Sequence, residues 1–212
     1  TEIYTLSLHD ALPIWKRQMD TLKAEKRSMD IKAKKLRREG FVTGNVFGRD
    51  MEGSIPVKME KPAVERLLKT SGKGSQILLD IEGQTMNVLI KEVDFNSLKG
   101  RVDEMDFQAL VSDEKVHSTA EIILINHEKV NTGMVEQHLH EIAYRAYPSA
   151  LVDKIRVDVG DMKLGDVIKV GDLEIASNPE IDLTTDPETA VASVIEIHSG
   201  AADTAEEEET AE

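Results

Sequence analysis

The chain has no cysteine among its 212 residues. That removes a disulfide scaffold, a Cys-ligated zinc site and a Cys nucleophile, and it fits a reducing cytosol. Aromatic residues make up only 4% of the chain, so a core must be built mainly from Val, Ile, Leu and Met. No apolar run approaches the roughly 18–20 residues needed to span a bilayer. The phosphate-binding loop, the dinucleotide fingerprint and the nucleophile elbow are all missing, and no pattern links Ser and His into a triad. These gaps argue against an enzyme, and no cofactor is expected.

Hydrophobic content is 40% and charged content 31%, enough for a packed core under a charged surface. The net charge of −14 is unevenly spread. Residues 1–111 hold 19 Lys/Arg against 17 Asp/Glu, and residues 112–212 hold 7 against 23. Such sorting predicts two domains with different tasks. The acidic half is expected to keep nucleic acid off its general surface.

The densest positive charge lies in the stretch KAKKLRREGFVTGNVFG, residues 32–48. Lys32, Lys34, Lys35, Arg37 and Arg38 fall within seven residues. Met29, Ala33 and Leu36 recur at i, i+4 and i+7, which predicts a short helix with one face on a core and the cations on the others. Gly40 should end that helix. Phe41–Thr43 and Val46–Phe47 then read as strand, with Gly44 and Gly48 marking a bulge, a bend or a close backbone approach. A basic helix feeding a strand that carries an aromatic suits docking to phosphates and bases. A solvated cationic face is the plainer reading of the same residues.

Along the chain, residues 1–18 look foreign to the fold. They resemble translated read-through of a sequencing adapter, which makes Met19 the natural start. A first strand is expected over Thr21–Arg27, and an edge strand over Ser54–Met59, since Pro56 lacks a ladder donor. Lys61–Thr70 should be a helix with Pro62 in its first turn and Val64, Leu67 and Leu68 buried. Gln76–Ile81 and Thr85–Val93 read as a hairpin about Glu82-Gly83-Gln84, followed by a turn at Asn96–Gly100 and a strand over Val102–Val111. Residues 19–111 thus suggest a small barrel or a half-open α+β domain. Past a boundary at Ser112–Val116, strands are expected at Glu121–Asn126, Ile155–Val159 and Ala190–Ile197, with a turn at Asn131-Thr132-Gly133. Gln137–Tyr147 reads as a strand, with a helix as the alternative. Ala150–Ile155 should be a connector or helical turn, and Leu164–Ile175 two short β segments broken by Gly165 and Gly171. Many short strands over 112–198 predict an antiparallel, sandwich-like acidic domain. Residues 199–212, with their EEEE run, read as a disordered acidic tail.

Two other groupings carry weaker chemistry. His138 and His140, with Glu136 and Glu141 nearby, could face one side of a strand as metal ligands. Exposed strand residues are the better reading, and no metal is expected. Asp158, Asp161, Asp166 and Asp172 alternate with glycines, but not at the spacing of a calcium loop; turn formation explains them.

Taken in order, several segments together carry a resemblance: LKAEKR, KKLRREG followed by NVFG, IKEVDF, MDFQAL, VEQHLHEI, KIRVDVGDMKLGD and VASVIEI. The chain from Met19 to Ile197 resembles the bacterial large-subunit ribosomal protein family L twenty-five, in the long two-domain form also known as general stress protein Ctc. The resemblance implies a mainly β protein. Its first domain would be a small β-barrel with short helices that binds 5S ribosomal RNA around loop E, and its second an acidic β domain. It implies RNA-facing roles for Arg27, Lys34, Lys35, Arg37, Phe47, Lys91, Glu104 and Asp106, which join Lys32 and Arg38 of the basic stretch. The chain departs from the family where Lys34 and Lys35 replace the usual Arg, Phe47 a frequent Tyr, Glu104 a typical His and Lys91 a frequent Gln. SMDI also replaces a Gly-rich loop before the basic helix. The implied partners are 5S ribosomal RNA, the large subunit and neighbouring ribosomal proteins, with a cytoplasmic, ribosome-associated location and no membrane. The departures keep open one alternative, a stress-associated paralogue that has weakened RNA contacts and works through a protein partner.

Overall fold

The computed structural model describes residues 19–130 and 133–196. The readings of 1–18 as a leader, of 199–212 as a tail, of the turn at Asn131–Thr132 and of the end of the last strand at Ile197 lie outside those residues. The chain divides into two compact units between Leu110 and Val111.

The first unit contains β1 (Thr21–Lys26), α1 (Ala33–Arg38), β2 (Phe41–Phe47), β3 (Ile55–Glu60), α2 (Lys61–Leu67), β4 (Gln76–Ile81), β5 (Gln84–Asn96) and β6 (Arg101–Ala109). Its six strands close into a barrel in the order β1-β3-β2-β6-β5-β4. Closure removes the free edges that an open sheet would expose. The period-2 alternation decides which side chains enter: Ile77, Leu79 and Ile81 of β4, Val57 and Met59 of β3, and Met105 and Phe107 of β6 are all buried. Val64 and Leu67 of α2 join the same core. Pro62 sits in the first turn of α2, where its missing N–H has no helical partner to lose.

Two glycines show how this barrel uses the residue. The β4–β5 turn is closed by Glu82 and Gly83, with φ of 52° and 90°, the left-handed pair that matches hairpin twist. On β2, a Cβ at Gly44 would fall 1.9 Å from the Met105 carbonyl oxygen. Gly44 therefore marks the close backbone approach of β2 to β6, its parallel neighbour.

Several local expectations fail in this unit, among them a helix to Thr70 with Leu68 buried: α2 ends at Leu67 and Leu68 is only half-buried. Met29 is 74% exposed and lies outside α1, so Leu36 alone anchors the helix as a buried residue. The cations do not cover all remaining faces, since Arg37 turns inward. Pro56 lies on no edge, because β3 runs between β1 and β2. The carbonyl of Pro56 accepts the Arg27 amide at 2.9 Å, so its nitrogen also points to the β1 side. The β1–β3 register ends at Lys26–Val57, and Pro56, which has no N–H, cannot return the bond it accepts from Arg27, so the ladder stops there.

The second unit has β7 (Val116–Ile125), β8 (Met134–Gln137), β9 (Glu141–Ala146), β10 (Lys154–Asp158), β11 (Val167–Lys169), β12 (Ile181–Leu183) and β13 (Ala190–Ile195). They form a four-stranded sheet, β10-β7-β9-β12, and a three-stranded sheet, β11-β13-β8. β10 runs parallel to β7, so the larger sheet is mixed and not purely antiparallel. The Tyr144 hydroxyl, fully buried, donates to the Val152 carbonyl at 2.6 Å and accepts its amide at 2.7 Å.

β7 begins at Val116, five residues before the expected start, inside the expected boundary. The stretch 137–147 is two strands in different sheets, not one. The amides of His138 and Leu139 bond to the Val191 carbonyl while the His140 carbonyl bonds to Ile122, so the chain crosses between sheets there. His138 and His140 lie in that crossing, with His138 Nε2 2.8 Å from Ser193 Oγ. Over Leu164–Ile175 only β11 is strand; two 3₁₀ turns, Val170–Asp172 and Glu174–Ser177, follow. The Asp172 carboxylate accepts the Lys169 amide at 2.9 Å, and such a side-chain acceptor competes with a ladder. Asp158 and Asp166 also serve turns, accepting the amides of Gly160 and Lys163. β12 was absent from the sequence reading.

Candidate nucleic-acid interface

The α1 helix is six residues long and has Lys35, Arg37 and Arg38 in its last turn. Cations there complement the negative end of the helix dipole. Gly40, with φ of 92°, takes the left-handed position that stops it. Lys32, Lys34, Lys35 and Arg38 are exposed. Lys35 lies 3.9 Å from Glu39 in a solvent-exposed pair, which holds it weakly.

Arg37 behaves differently. Its Nε donates to the Asp103 carbonyl at 2.9 Å, and Nη2 donates to Thr43 Oγ1 at 3.2 Å and lies 3.4 Å from Glu104 Oε2. Thr43 is fully buried. Arg37 thus bolts α1 across β2 onto β6. A second arginine completes the joint: Arg101 Nε meets Asp103 Oδ1 at 2.7 Å, and its Nη1 donates to the Arg37 carbonyl at 3.4 Å. Asn96 Nδ2 donates to the other Asp103 oxygen at 3.0 Å. Burial opposes charge on Asp103. The hydrogen bonds from Asn96 and Arg101 and the charges of Arg101 and Arg37 outweigh it, holding the carboxyl below its usual range.

The other predicted residues are spread over the barrel. Arg27 follows β1; its Nη2 donates to the Ile31 carbonyl at 3.2 Å, and its Nε is buried without a hydrogen-bond partner among the described residues. Phe47, at the end of β2, is 38% exposed. Glu104 and Asp106 point outward from β6, since Met105 and Phe107 point in. Asp106 Oδ1 accepts the Asn45 amide at 2.8 Å and its side-chain amide at 3.4 Å, so β2 already uses part of that carboxylate. Across the strand pair, Glu92 opposes Asp106 and Asp94 opposes Glu104. The outer face of β5–β6 is therefore a band of four carboxylates, which like-charge pairing across strands disfavours in isolation.

Lys91 sits at the β5 irregularity between Ile90 and Glu92, half-buried. Burial, and then the nearby charge of Lys73, push its ammonium pKa down. The structure brings together α1, Thr43 and Glu104, ties Arg27 to the loop that leads into α1, and leaves Phe47 at the end of β2 and Lys91 on β5. Sequence reasoning missed Asn45, Arg101, Asp103 and Lys73. The i, i+2 spacing of Arg101 and Asp103 on a strand was the available signal for one pair.

This geometry, a basic helix pinned to a small closed barrel and followed by an acidic β unit, agrees with the comparisons. The model of the Ribosomal L25p family matches residues 22–107, and that of the ribosomal protein TL5 C-terminal domain matches residues 115–198. The large ribosomal subunit protein bL25 of Bacillus velezensis is 30% identical over 182 residues, covering 84% of this chain and 88% of that protein. The chain belongs to the ribosomal L25p family. It has the long form, with a TL5-type second domain. The bL25 proteins of Bacillus pumilus, at 30% identity with 84% of this chain and 86% of that protein covered, and of Thermoanaerobacter pseudethanolicus, at 27% with 77% and 81%, are further relatives. As an L25p protein it is a structural component of the ribosome, cytoplasmic and ribosome-associated, rather than an enzyme.

Proposed function

We propose that this L25p protein is a constituent of the large ribosomal subunit that binds 5S ribosomal RNA through its barrel. Large-subunit membership is supported by the bL25 relatives, which are named for that subunit. The observation that carries RNA binding is the presentation of Lys32, Lys34, Lys35 and Arg38 in solvent on a helix whose fifth cation is spent fixing it to β6. A helix already held in place presents its cations to phosphates without first losing backbone freedom. The carboxylates of Glu104 and Asp106 accept from base amines and ribose hydroxyls, which phosphate contacts cannot distinguish. Phe47 offers a partly exposed ring to a base or ribose.

The test is a salt titration of binding to 5S RNA, with an unrelated duplex as competitor. Four phosphate contacts give a slope of log affinity on log salt of roughly −3 to −4. Changing Lys34, Lys35 and Arg38 together to Ala should cut that slope by roughly 2–3 and leave the barrel folded. Unchanged affinity, or no preference over the duplex, would refute the reading.

A further inference from the structure

Two strand edges of the second unit border one slot. On β7, the Glu121 amide donates to the Asp153 carbonyl at 2.9 Å and the Ile125 carbonyl accepts the Val159 amide at 3.1 Å, so the odd-numbered residues there turn their backbone to β10. The Ile122 amide donates to the His140 carbonyl at 2.8 Å, so the even-numbered residues turn theirs to the β9 side. The β7–β9 register ends at Glu121–Glu141. Leu124 therefore points its N–H and C=O beyond β9, where no strand pairs with it among the described residues. β8 is an edge of the three-stranded sheet. The His138 amide donates to the Val191 carbonyl at 2.9 Å, while Val194 bonds to Gly165 and Asp166 on the β11 side. Val135, opposite Val194, therefore points its N–H and C=O away from β13. The Gln137 side-chain amide ties the two edges at one end, donating to the Ile122 carbonyl at 3.2 Å and the Leu139 carbonyl at 3.0 Å. Beside that tie lies a cavity of about 640 Å³, with Ile123, Leu124, Met134 and Val135 in its lining.

We propose that this slot takes one extended segment of a cationic partner protein, which adds a strand between β7 and β8. Such a strand meets a donor and an acceptor on each side, at Leu124 and at Val135, and joins the two sheets. Ile123, Leu124 and Val135 are only half-buried and Met134 is 53% exposed, so apolar side chains on the incoming strand have surface to cover. Charge selects the rest of its chemistry. Glu121, Glu128 and Glu136 are exposed at or next to lining residues, in a half of the chain with 7 Lys/Arg against 23 Asp/Glu. That field repels nucleic acid and a second copy of the same unit, and it favours Lys or Arg between the apolar positions. The proposal concerns the second unit alone and does not depend on RNA binding by the barrel.

The experiment follows amide hydrogen exchange in the full chain by NMR, with synthetic hexapeptides as probes. One alternates Lys and Val, one is its copy methylated on every backbone nitrogen, and one alternates Glu and Val. In the free chain the Leu124 and Val135 amides should exchange roughly tenfold faster than those of Ile122 and Glu136, which lie on the bonded sides of the same strands. The Lys-Val peptide should slow both amides roughly tenfold, and the other two peptides should slow neither. Val135→Pro removes one slot-facing donor without touching the β8–β13 ladder, and it should weaken Lys-Val binding about fivefold. The methylated comparison uses the unaltered chain and does not depend on that variant folding. Slow exchange at either amide in the free chain overturns the proposal. So does a Lys-Val peptide that protects neither amide, or equal protection by the methylated or the Glu-Val peptide.

Discussion

Replacing Arg37 by Ala separates a structural arginine from an RNA ligand. The guanidinium makes a charged hydrogen bond to the Asp103 carbonyl, a bond to buried Thr43 and a longer ion pair with Glu104. A hydrogen bond from a charged donor contributes about 1.5–3 kcal/mol, a neutral-acceptor bond to a hydroxyl about 1, and a half-exposed ion pair under about 1. Thr43 still donates to the Asp103 carbonyl at 3.4 Å after the change, which softens the loss. The net cost is about 2 kcal/mol, or a fall of roughly 8–16 °C in the barrel's melting midpoint for a unit of this size. Differential scanning calorimetry of the full chain reads it, with Lys34→Ala as the exposed control at under about 0.5 kcal/mol. Arg37→Lys should not rescue, since one ammonium cannot span three acceptors in fixed directions. An unchanged midpoint with 5S RNA binding lost would show that the side chain faces RNA, and the bolt would be wrong.

Gly44→Ala should be among the most damaging single changes, because the new methyl meets the Met105 carbonyl oxygen at 1.9 Å and β2 must leave β6; loss of the cooperative barrel transition in urea is expected, and a near-normal midpoint would contradict the packing. The lowered pKa of Asp103 favours its charged form in the folded state, so its contribution is complete above the unfolded value near 3.9 and fades as pH falls through the lower folded value. Asp103→Asn should therefore be less stable at neutral pH and show a flatter acid limb than wild type in urea unfolding at pH 2–5. Neutralising the carboxylate band with Glu92→Gln and Asp94→Asn should raise affinity for an unrelated duplex more than for 5S RNA, reducing discrimination in a competition gel-shift; equal gains for both would deny the band any role in selection.

The barrel was legible because alternation and turn chemistry are local. Ile77, Leu79 and Ile81 are buried while Gln76, Leu78 and Asp80 between them are only half-buried, and Glu82-Gly83 supplies the left-handed pair between two β-prone runs. What was not legible depended on pairing. Pro56 reads as an edge residue until the partner on its nitrogen side is known to end at Lys26. The 137–147 run alternates well enough for one strand, yet its two halves bond to different neighbours, β13 and β7. Over 170–177 the apolar residues Val170, Leu173 and Ile175 are buried as expected of strand, but Asp172 captures a backbone amide and winds the chain. At the candidate interface, composition located the cluster of cations along the chain and could not rank its members. Arg37 and Arg38 are indistinguishable in one dimension; only the position of β6 makes one a bolt and leaves the other in solvent.

That ranking bears on how a protein of net charge −14 would meet RNA under the proposed function. At physiological ionic strength a charge is felt over about 8 Å, so RNA responds to the local arrangement and not to the sum. The first 111 residues carry nearly balanced charge, but the barrel segregates it: carboxylates line the outer face of β5–β6, and the exposed cations of α1 stand at its border. A balanced surface with mixed signs would offer a polyanion little in any orientation. A segregated one attracts it along the cationic border and repels it from the band, so the same total charge yields both affinity and direction. The inward turn of Arg37 sharpens that border, since its charge is spent beside Glu104 and Asp103 and the helix cations beyond it are held at a fixed place. Under the proposed function, rigidity, more than the number of positive residues, is what the barrel contributes to recognition.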